Sequence, residues 1–178
     1  MVLDWLLFYC INRNIRLIIA QSYFLKKKLF LQERYNLINL IDVEKFARNL
    51  AIEAGSLIKS ESDGAKPVAK SFKNGNEMVT SVDIAADKFI CTKISQTFPS
   101  HTIVSEETFP DTNDLDKATT SFWIIDPIDG TVNFAHEHDQ SAVSIAFSQN
   151  GHVEVGIVYN PFTNEMFSAI RGSGAYLN

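Results

Sequence analysis

The chain has 178 residues, of which 46% are hydrophobic and 21% are charged, and its formal net charge is −5. This composition is typical of a folded globular protein and argues against an intrinsically disordered chain. The acidic balance offers no basic surface for nucleic acid, so no nucleic-acid partner is expected. Cys10 and Cys91 are too few for a disulfide framework and lack CxxC spacing, which favours a reducing, cytoplasmic location.

Residues 1–41 differ from the rest because they are rich in Leu, Ile, Phe and Lys and contain no Gly or Pro. Their apolar run, Trp5 to Ala20, contains Arg13 and Arg16, and each arginine at a membrane centre opposes insertion by about 2.5–3.5 kcal/mol. The order of charges around the run is also wrong for a secretory signal. We therefore expect an atypical N-terminal extension that adds little to the folded core, and no membrane partner.

Residues 42–178 are expected to form one α+β domain with two N-terminal helices packed on a largely antiparallel sheet. Apolar residues recur at helical spacing after Asp42 and again after Asp83, where an Asp can cap each helix. A loop containing Pro67 and Gly75 joins them. The apolar stripes are Val43, Phe46, Ala47, Leu50, Ala54, Leu57 and Ile58 in the first helix, and Ile84, Ala85, Phe89, Ile90, Ile94 and Phe98 in the second.

Five strand-like segments follow the helices, and an Asn150-Gly151 pair predicts a tight hairpin turn between the third and fourth. The predicted strands are His101–Val104, Ser121–Ile125, Ser141–Phe147, Val153–Tyr159 and Glu165–Ala169.

The strongest functional signal is DPIDGTVNF, residues 126–134, directly after the apolar run that forms the second predicted strand. Asp126 is placed where that strand leaves the sheet, and Pro127 makes the exit rigid. Asp129 can then turn its carboxylate toward Asp126, which suits hard divalent cations. A helix starting at Thr131 would add free N–H groups suited to phosphate.

DPIDGTVNF resembles the signature of the inositol monophosphatase family of Mg²⁺-dependent, lithium-sensitive phosphatases. Three further segments resemble family segments in the same order: MVTSVD at 78–83, VSEET at 104–108 and RGSGAYLN at 171–178. The resemblance covers about Asp42 to Asn178 and implies the N-terminal half of an inositol-monophosphatase-like α/β sandwich. Ser105 stands where the family usually has Gly.

The resemblance also implies a Mg²⁺ site. Its ligands would be the carboxylates of Glu106, Asp126 and Asp129 and the backbone carbonyl of Ile128. The neighbouring Glu107 would help to position this site.

Catalysis would use Glu106 and Thr131 to assist the attack of water on phosphorus, with Asp83 holding Thr131. Gly130, Thr131 and Asp129 would bind the substrate, the first two through N–H groups on a phosphoryl oxygen. Lys70 and Lys73 are weaker candidates for phosphate contacts, because a lone lysine in a Gly/Asn-containing loop is usually solvated.

The implied function is hydrolysis of a small phosphorylated polyol, such as inositol monophosphate or a related sugar phosphate. Two alternatives stay open: a fructose-1,6-bisphosphatase or 3′-phosphonucleotide phosphatase of the same superfamily, and a non-catalytic interaction or dimerisation fragment. Homodimer formation is also open. The family's C-terminal Trp-Asp-x-Ala-Ala-Gly motif, whose Asp binds a second metal, does not occur in these residues. We therefore expect weak activity from this chain alone.

Overall fold

The structure is a computed structural model that describes residues 39–62, 69–73, 77–108 and 121–178. The extension predicted for residues 1–41 lies almost entirely outside the described residues, so its boundary and its small contribution to the core stay predictions. In the part of the chain that is described, no helix combines the length and apolar character needed to cross a membrane.

Helix α1 spans Leu40–Ser62 and begins slightly before its predicted start. Its inner face agrees with the predicted apolar stripe, except that Phe46 and Leu57 are only half-buried. The fully buried residues of this helix are Val43, Ala47, Leu50, Ala51, Ala54, Gly55 and Ile58.

Helix α2 spans Ser81–Thr97, and its cap differs from the prediction. The N-cap is Thr80, whose side-chain oxygen accepts from the N–H groups of Val82 and Asp83, while Asp83 closes the reciprocal half of a capping box. The predicted stripe is wrong in the first half of the helix, since Ile84 is 55% exposed. The buried residues are Val82, Asp83, Ala86, Asp87, Ile90 and Ile94. Two acids therefore face inward, where they have hydrogen-bond partners.

The described residues form a six-stranded mixed sheet and a separate two-stranded hairpin. The strands of the sheet are β3 (Thr102–Ser105), β4 (Ser121–Asp129), β5 (Ala142–Gln149), β6 (His152–Asn160), β7 (Glu165–Ile170) and β8 (Gly174–Leu177). They lie in the order β3-β4-β5-β6-β7-β8; β3 and β4 are parallel, and every other pair is antiparallel. Helix α1 packs on β5, β6 and β7, and α2 packs on α1 and β4. This confirms the predicted α+β architecture.

An aromatic cluster forms the core between the helices and the sheet. Trp123 is fully buried, and its ring lies 5.8 Å from Phe46, 5.3 Å from Phe98 and 5.1 Å from Phe147, measured between centroids. The indole N–H of Trp123 donates to Nδ1 of His101 at 3.1 Å. This bond satisfies the polar atom that a buried tryptophan brings into a core.

The Asn150-Gly151 turn joins β5 to β6 as predicted, with Gln149 opposite His152. Both turn residues have positive φ, 52° and 78°, as a type I′ hairpin requires. The hairpin of β1 (Lys70–Lys73) and β2 (Glu77–Thr80) replaces part of the predicted loop, and β8 was also missed.

Strand β4 does not end at Ile125 as predicted but continues through Pro127 to Asp129. Its register against β5 shifts between Asp126, opposite Ser144, and Asp129, opposite Ala142. Three steps along β4 thus match two along β5, which is a β-bulge. Proline is tolerated at a bulge because the regular ladder is interrupted there.

Candidate functional site

The bulge in β4 explains how Asp126 and Asp129 can act together. In a regular strand, residues three positions apart face opposite sides of the sheet. The extra residue of the bulge reverses this relationship and re-aims one side chain. Accordingly, the two carboxyls lie close enough for the charge of Asp129 to raise the pKa of Asp126.

Glu106 reaches the same edge because β3 runs parallel to β4. The strands pair through Ser105 and Ile125, and the Glu106 N–H then donates to the Ile125 carbonyl at 3.0 Å. Glu106 therefore follows the end of β3 beside the point where Asp126 follows Ile125. The structure brings the three predicted acidic ligands into one neighbourhood, with Glu106 and Asp129 exposed and Asp126 half-buried.

The electrostatics of this cluster are unfavourable for three free carboxylates. Burial, the negative charge of Glu106, a hydrogen bond with Glu106 and the charge of Asp129 raise the pKa of Asp126 to about 7. A hydrogen bond from the backbone N–H of Ile128 opposes this rise. Like charges held together in this way favour either a shared proton or a bound cation.

The surroundings of one carboxylate oxygen indicate whether this cluster fits a metal ion. Oδ1 of Asp126 is buried and has no hydrogen-bond partner, a condition that is costly for a carboxylate oxygen. Within the described residues, no three His, Cys, Asp or Glu side chains are already arranged as a metal site. The oxygen-only donor set fits Mg²⁺.

Thr131 links the cluster to α2. Its hydroxyl lies 3.0 Å from Oδ1 of Asp83 and 3.0 Å from the Ile128 carbonyl oxygen, so one proton is shared between two acceptors. Asp83 is only 1% exposed, and its other oxygen accepts from the Thr80 N–H at 2.9 Å and from the Thr80 hydroxyl. Asp83 thus completes the capping box with Thr80 and holds Thr131 at the same time.

Gly130 lies between Asp129 and helix α3 (Thr131–Ala135), with φ at 87°. A Cβ at this position would lie 2.8 Å from the Gln140 carbonyl oxygen, so the backbone fits this space only without a side chain. Because α3 has just 5 residues, its dipole adds little to anion binding.

The Nζ of Lys70 donates to the Ala135 carbonyl at 2.6 Å, at the opposite end of α3 from Gly130.

Asp87 is a site neighbour that the sequence analysis missed. It is 3% exposed and accepts hydrogen bonds on Oδ1 from the Ser105 hydroxyl and, at 3.4 Å, from the Cys91 thiol. A signal was available, because Asp83 and Asp87 stand at i and i+4 and so share one face of a helix.

Comparisons with known proteins show which family the chain matches. The family model described as the inositol monophosphatase family matches residues 39–178. The chain is 42% identical over 129 residues to the Nus factor SuhB of Escherichia coli K12, covering 72% of this chain and 47% of that protein. It is 35% identical over 140 residues to an inositol-1-monophosphatase of Bacillus subtilis, covering 79% and 52%.

Among solved structures, an IMPase of Thermotoga maritima superposes with a TM-score of 0.67 at 34% identity, covering 77% of this chain and 51% of that one. The chain thus spans about half the length of the relatives that it matches.

Proposed function

The chain belongs to the inositol monophosphatase family, and we propose that it takes part in Mg²⁺-dependent hydrolysis of a phosphate monoester. The observation that carries the proposal is the cluster of Glu106, Asp126 and Asp129, in which a buried carboxylate oxygen lacks a partner. The proposed substrate is a small phosphorylated polyol such as inositol monophosphate. This choice is supported by relatives whose names state that activity.

The proposed metal ligands are Glu106, Asp126, Asp129 and the carbonyl oxygen of Ile128. When bound, Mg²⁺ acts as a Lewis acid toward phosphoryl oxygens and promotes ionisation of water. The Ile128 carbonyl already accepts from Thr131 at 3.0 Å, but a carbonyl oxygen has a second lone pair.

Thr131, held by Asp83, would accept a hydrogen bond from the attacking water. The Asp83 carboxylate can hold the Thr131 hydroxyl proton, which leaves the lone pairs of Oγ1 to orient water through a hydrogen bond. Glu106, exposed at the strand end, would be the second acceptor for that water. In the substrate site, Gly130 lets the backbone approach a phosphoryl oxygen, while Asp129 contacts the polyol.

Two alternatives are kept as outcomes of the test. Fructose 1,6-bisphosphate or a 3′-phosphonucleotide could replace inositol monophosphate, since the described residues do not select among them. A non-catalytic role is supported by relatives named as a Nus factor. A non-catalytic role would persist after substitution of Glu106, Asp126 or Asp129. Lithium inhibition, a cytoplasmic location and the absence of nucleic-acid and membrane partners stay predictions, and homodimer formation stays open.

The test is phosphate release from inositol 1-phosphate with and without Mg²⁺, together with Mg²⁺-dependent binding of the same compound. We expect slow, Mg²⁺-dependent release that Asp126→Asn abolishes. The matched control is Glu61→Gln, which changes an exposed carboxylate in the last turn of α1. Absence of both Mg²⁺-dependent binding and release in the wild-type chain would contradict the proposal. Faster turnover of fructose 1,6-bisphosphate or a 3′-phosphonucleotide would reassign the substrate.

A further inference from the structure

Helix α2 turns two buried carboxylates toward the site, one helical turn apart. Asp83 accepts from Thr131, which follows the β4 bulge. Asp87 accepts from Ser105, the last residue of β3. A single rigid element therefore holds both chain segments that bear the proposed metal ligands, because Glu106 directly follows Ser105 and Asp129 lies two residues before Thr131.

The contact between Asp87 and Ser105 is well enclosed. Ser105 is 1% exposed and Asp87 is 3% exposed, so neither group can readily exchange its partner for bulk water. The Cys91 thiol donates to the same Oδ1, and burial followed by the charge of Asp87 raises the pKa of that thiol.

Ser105 passes this restraint to Glu106 through the backbone. The Glu106 N–H bonds to the Ile125 carbonyl at 3.0 Å, and the Thr108 N–H bonds to the Ser105 carbonyl at 3.3 Å. Hydrogen bonds thus hold the strand end to β4 on one side and to α2 on the other. With a glycine at position 105, as in the usual family pattern, the hydrogen bond to Asp87 could not form.

We propose that Asp87 is a positioning residue that, through the Ser105 hydroxyl, fixes the strand end bearing Glu106 and so sets the affinity of the site for a divalent cation. This inference rests on the proposed metal site. Restraints outside the ligand set commonly change metal affinity by about 10–100-fold when they are removed.

The experiment measures Mn²⁺ affinity by electron paramagnetic resonance for the wild-type chain and for Asp87→Ala, Ser105→Ala and Asp87→Asn. We expect Asp87→Ala and Ser105→Ala each to weaken binding about tenfold, and the double variant to be no weaker than either single one. Asp87→Asn keeps an acceptor oxygen and should be intermediate. Cys91→Ala is the matched control, because it removes the other donor to Oδ1 without touching the path to Glu106, and it should bind like the wild type.

Hydrogen exchange of the Glu106 amide provides a second readout that needs no metal. We expect faster exchange in Ser105→Ala at this amide, with little change at the Ile145 amide in the centre of the sheet. If folded Ser105→Ala binds Mn²⁺ as tightly as the wild type, the inference is overturned even if the large-to-small change at Asp87 prevents folding. A wild-type chain that binds no Mn²⁺ would instead contradict the proposed function itself, and the inference with it.

Discussion

The hydroxyl of Thr131 and the carboxylate of Asp83 lie 3.0 Å apart, although 48 positions separate them in the chain. This contact joins the buried face of α2 to the turn that follows the β4 bulge. It also leaves Asp83 with acceptor bonds on both oxygens, from Thr131 on one and from Thr80 on the other. Loss of the Thr131 hydroxyl therefore has a cost in stability as well as in activity.

Thr131→Val should reduce the free energy of unfolding by about 1–3 kcal/mol, because it leaves a buried oxygen of Asp83 without a donor. Thr131→Ser keeps the hydroxyl and should recover most of this loss. Urea denaturation of the three proteins in the absence of metal measures the effect. Equal stabilities for Thr131→Val and Thr131→Ser would show that the contact with Asp83 contributes nothing.

Gly130→Ala should destabilise the chain more than Gly151→Ala. Both positions have positive φ, 87° and 78°, but a Cβ at 130 would lie 2.8 Å from the Gln140 carbonyl oxygen, while a Cβ at 151 meets nothing within 4 Å. We expect about 1 kcal/mol for the strained φ at 151 and at least ~2 kcal/mol at 130. Thermal denaturation compares the two variants. A smaller loss of stability for Gly130→Ala than for Gly151→Ala would show that the backbone at Gln140 can move aside without destabilising the protein.

His101 should make stability depend on pH. Burial lowers the pKa of His101 below its ordinary value of 6.5, and its Nδ1 accepts from Trp123, which requires that nitrogen to be unprotonated. A lowered histidine pKa means that the unfolded state binds protons first. The contribution of His101 is therefore fully present above pH 6.5 and is lost as the pH falls below that value toward the lower pKa of the folded state.

The measurement compares unfolding free energies of the wild type and His101→Asn at about pH 7.5 and about pH 5.5. The difference between the proteins should shrink at the lower pH. Comparison with the variant is essential because the raised pKa of Asp126 acts in the opposite sense, adding stability as the pH falls from about 7. Both proteins retain Asp126, so its effect cancels. A difference that stays constant would show that His101 titrates normally.

Cys91 should react slowly with iodoacetamide, since burial and the charge and hydrogen bond of Asp87 raise the pKa of its thiol to about 12 and the thiolate is the reactive form. Asp87→Asn removes the charge and should speed alkylation several-fold, although burial still raises the pKa of the Cys91 thiol. Peptide mass spectrometry distinguishes Cys91 from Cys10. Ser105→Ala keeps the Asp87 charge and serves as the control. An unchanged rate in Asp87→Asn would mean that burial alone protects the thiol.

Local signals in the sequence predicted the features that depend on few neighbours. The Asn150-Gly151 turn was found because its two residues tolerate positive φ, and α1 was found because its buried face is apolar throughout. The inner face of α2 was misjudged because Asp83 and Asp87 are buried. Their burial depends in part on partners outside the helix, Thr131 and Ser105, which a helical pattern does not reveal.

The site was predictable in composition but not in shape. The spacing of Asp126 and Asp129 indicated a pair of ligands, yet it placed them on a strand exit rather than on a β-bulge. A bulge depends on how the strand pairs with its neighbour, here with Ser144 and Ala142 of β5. The local sequence pattern of one strand does not contain this register. The role of Ser105 was hidden for the same reason, because its partner Asp87 lies on another element.

The most direct test of the proposed metal site is thermal unfolding of the wild type, Asp126→Asn and Glu61→Gln with and without Mg²⁺. At 100 times the dissociation constant, binding should stabilise the wild type and Glu61→Gln by about 2.7 kcal/mol. Asp126→Asn should be at least as stable as the wild type without metal at pH above 7, because it removes a charge next to Glu106 and Asp129. It should gain nothing from Mg²⁺. Equal stabilisation of the wild type and Asp126→Asn by Mg²⁺ would contradict the account.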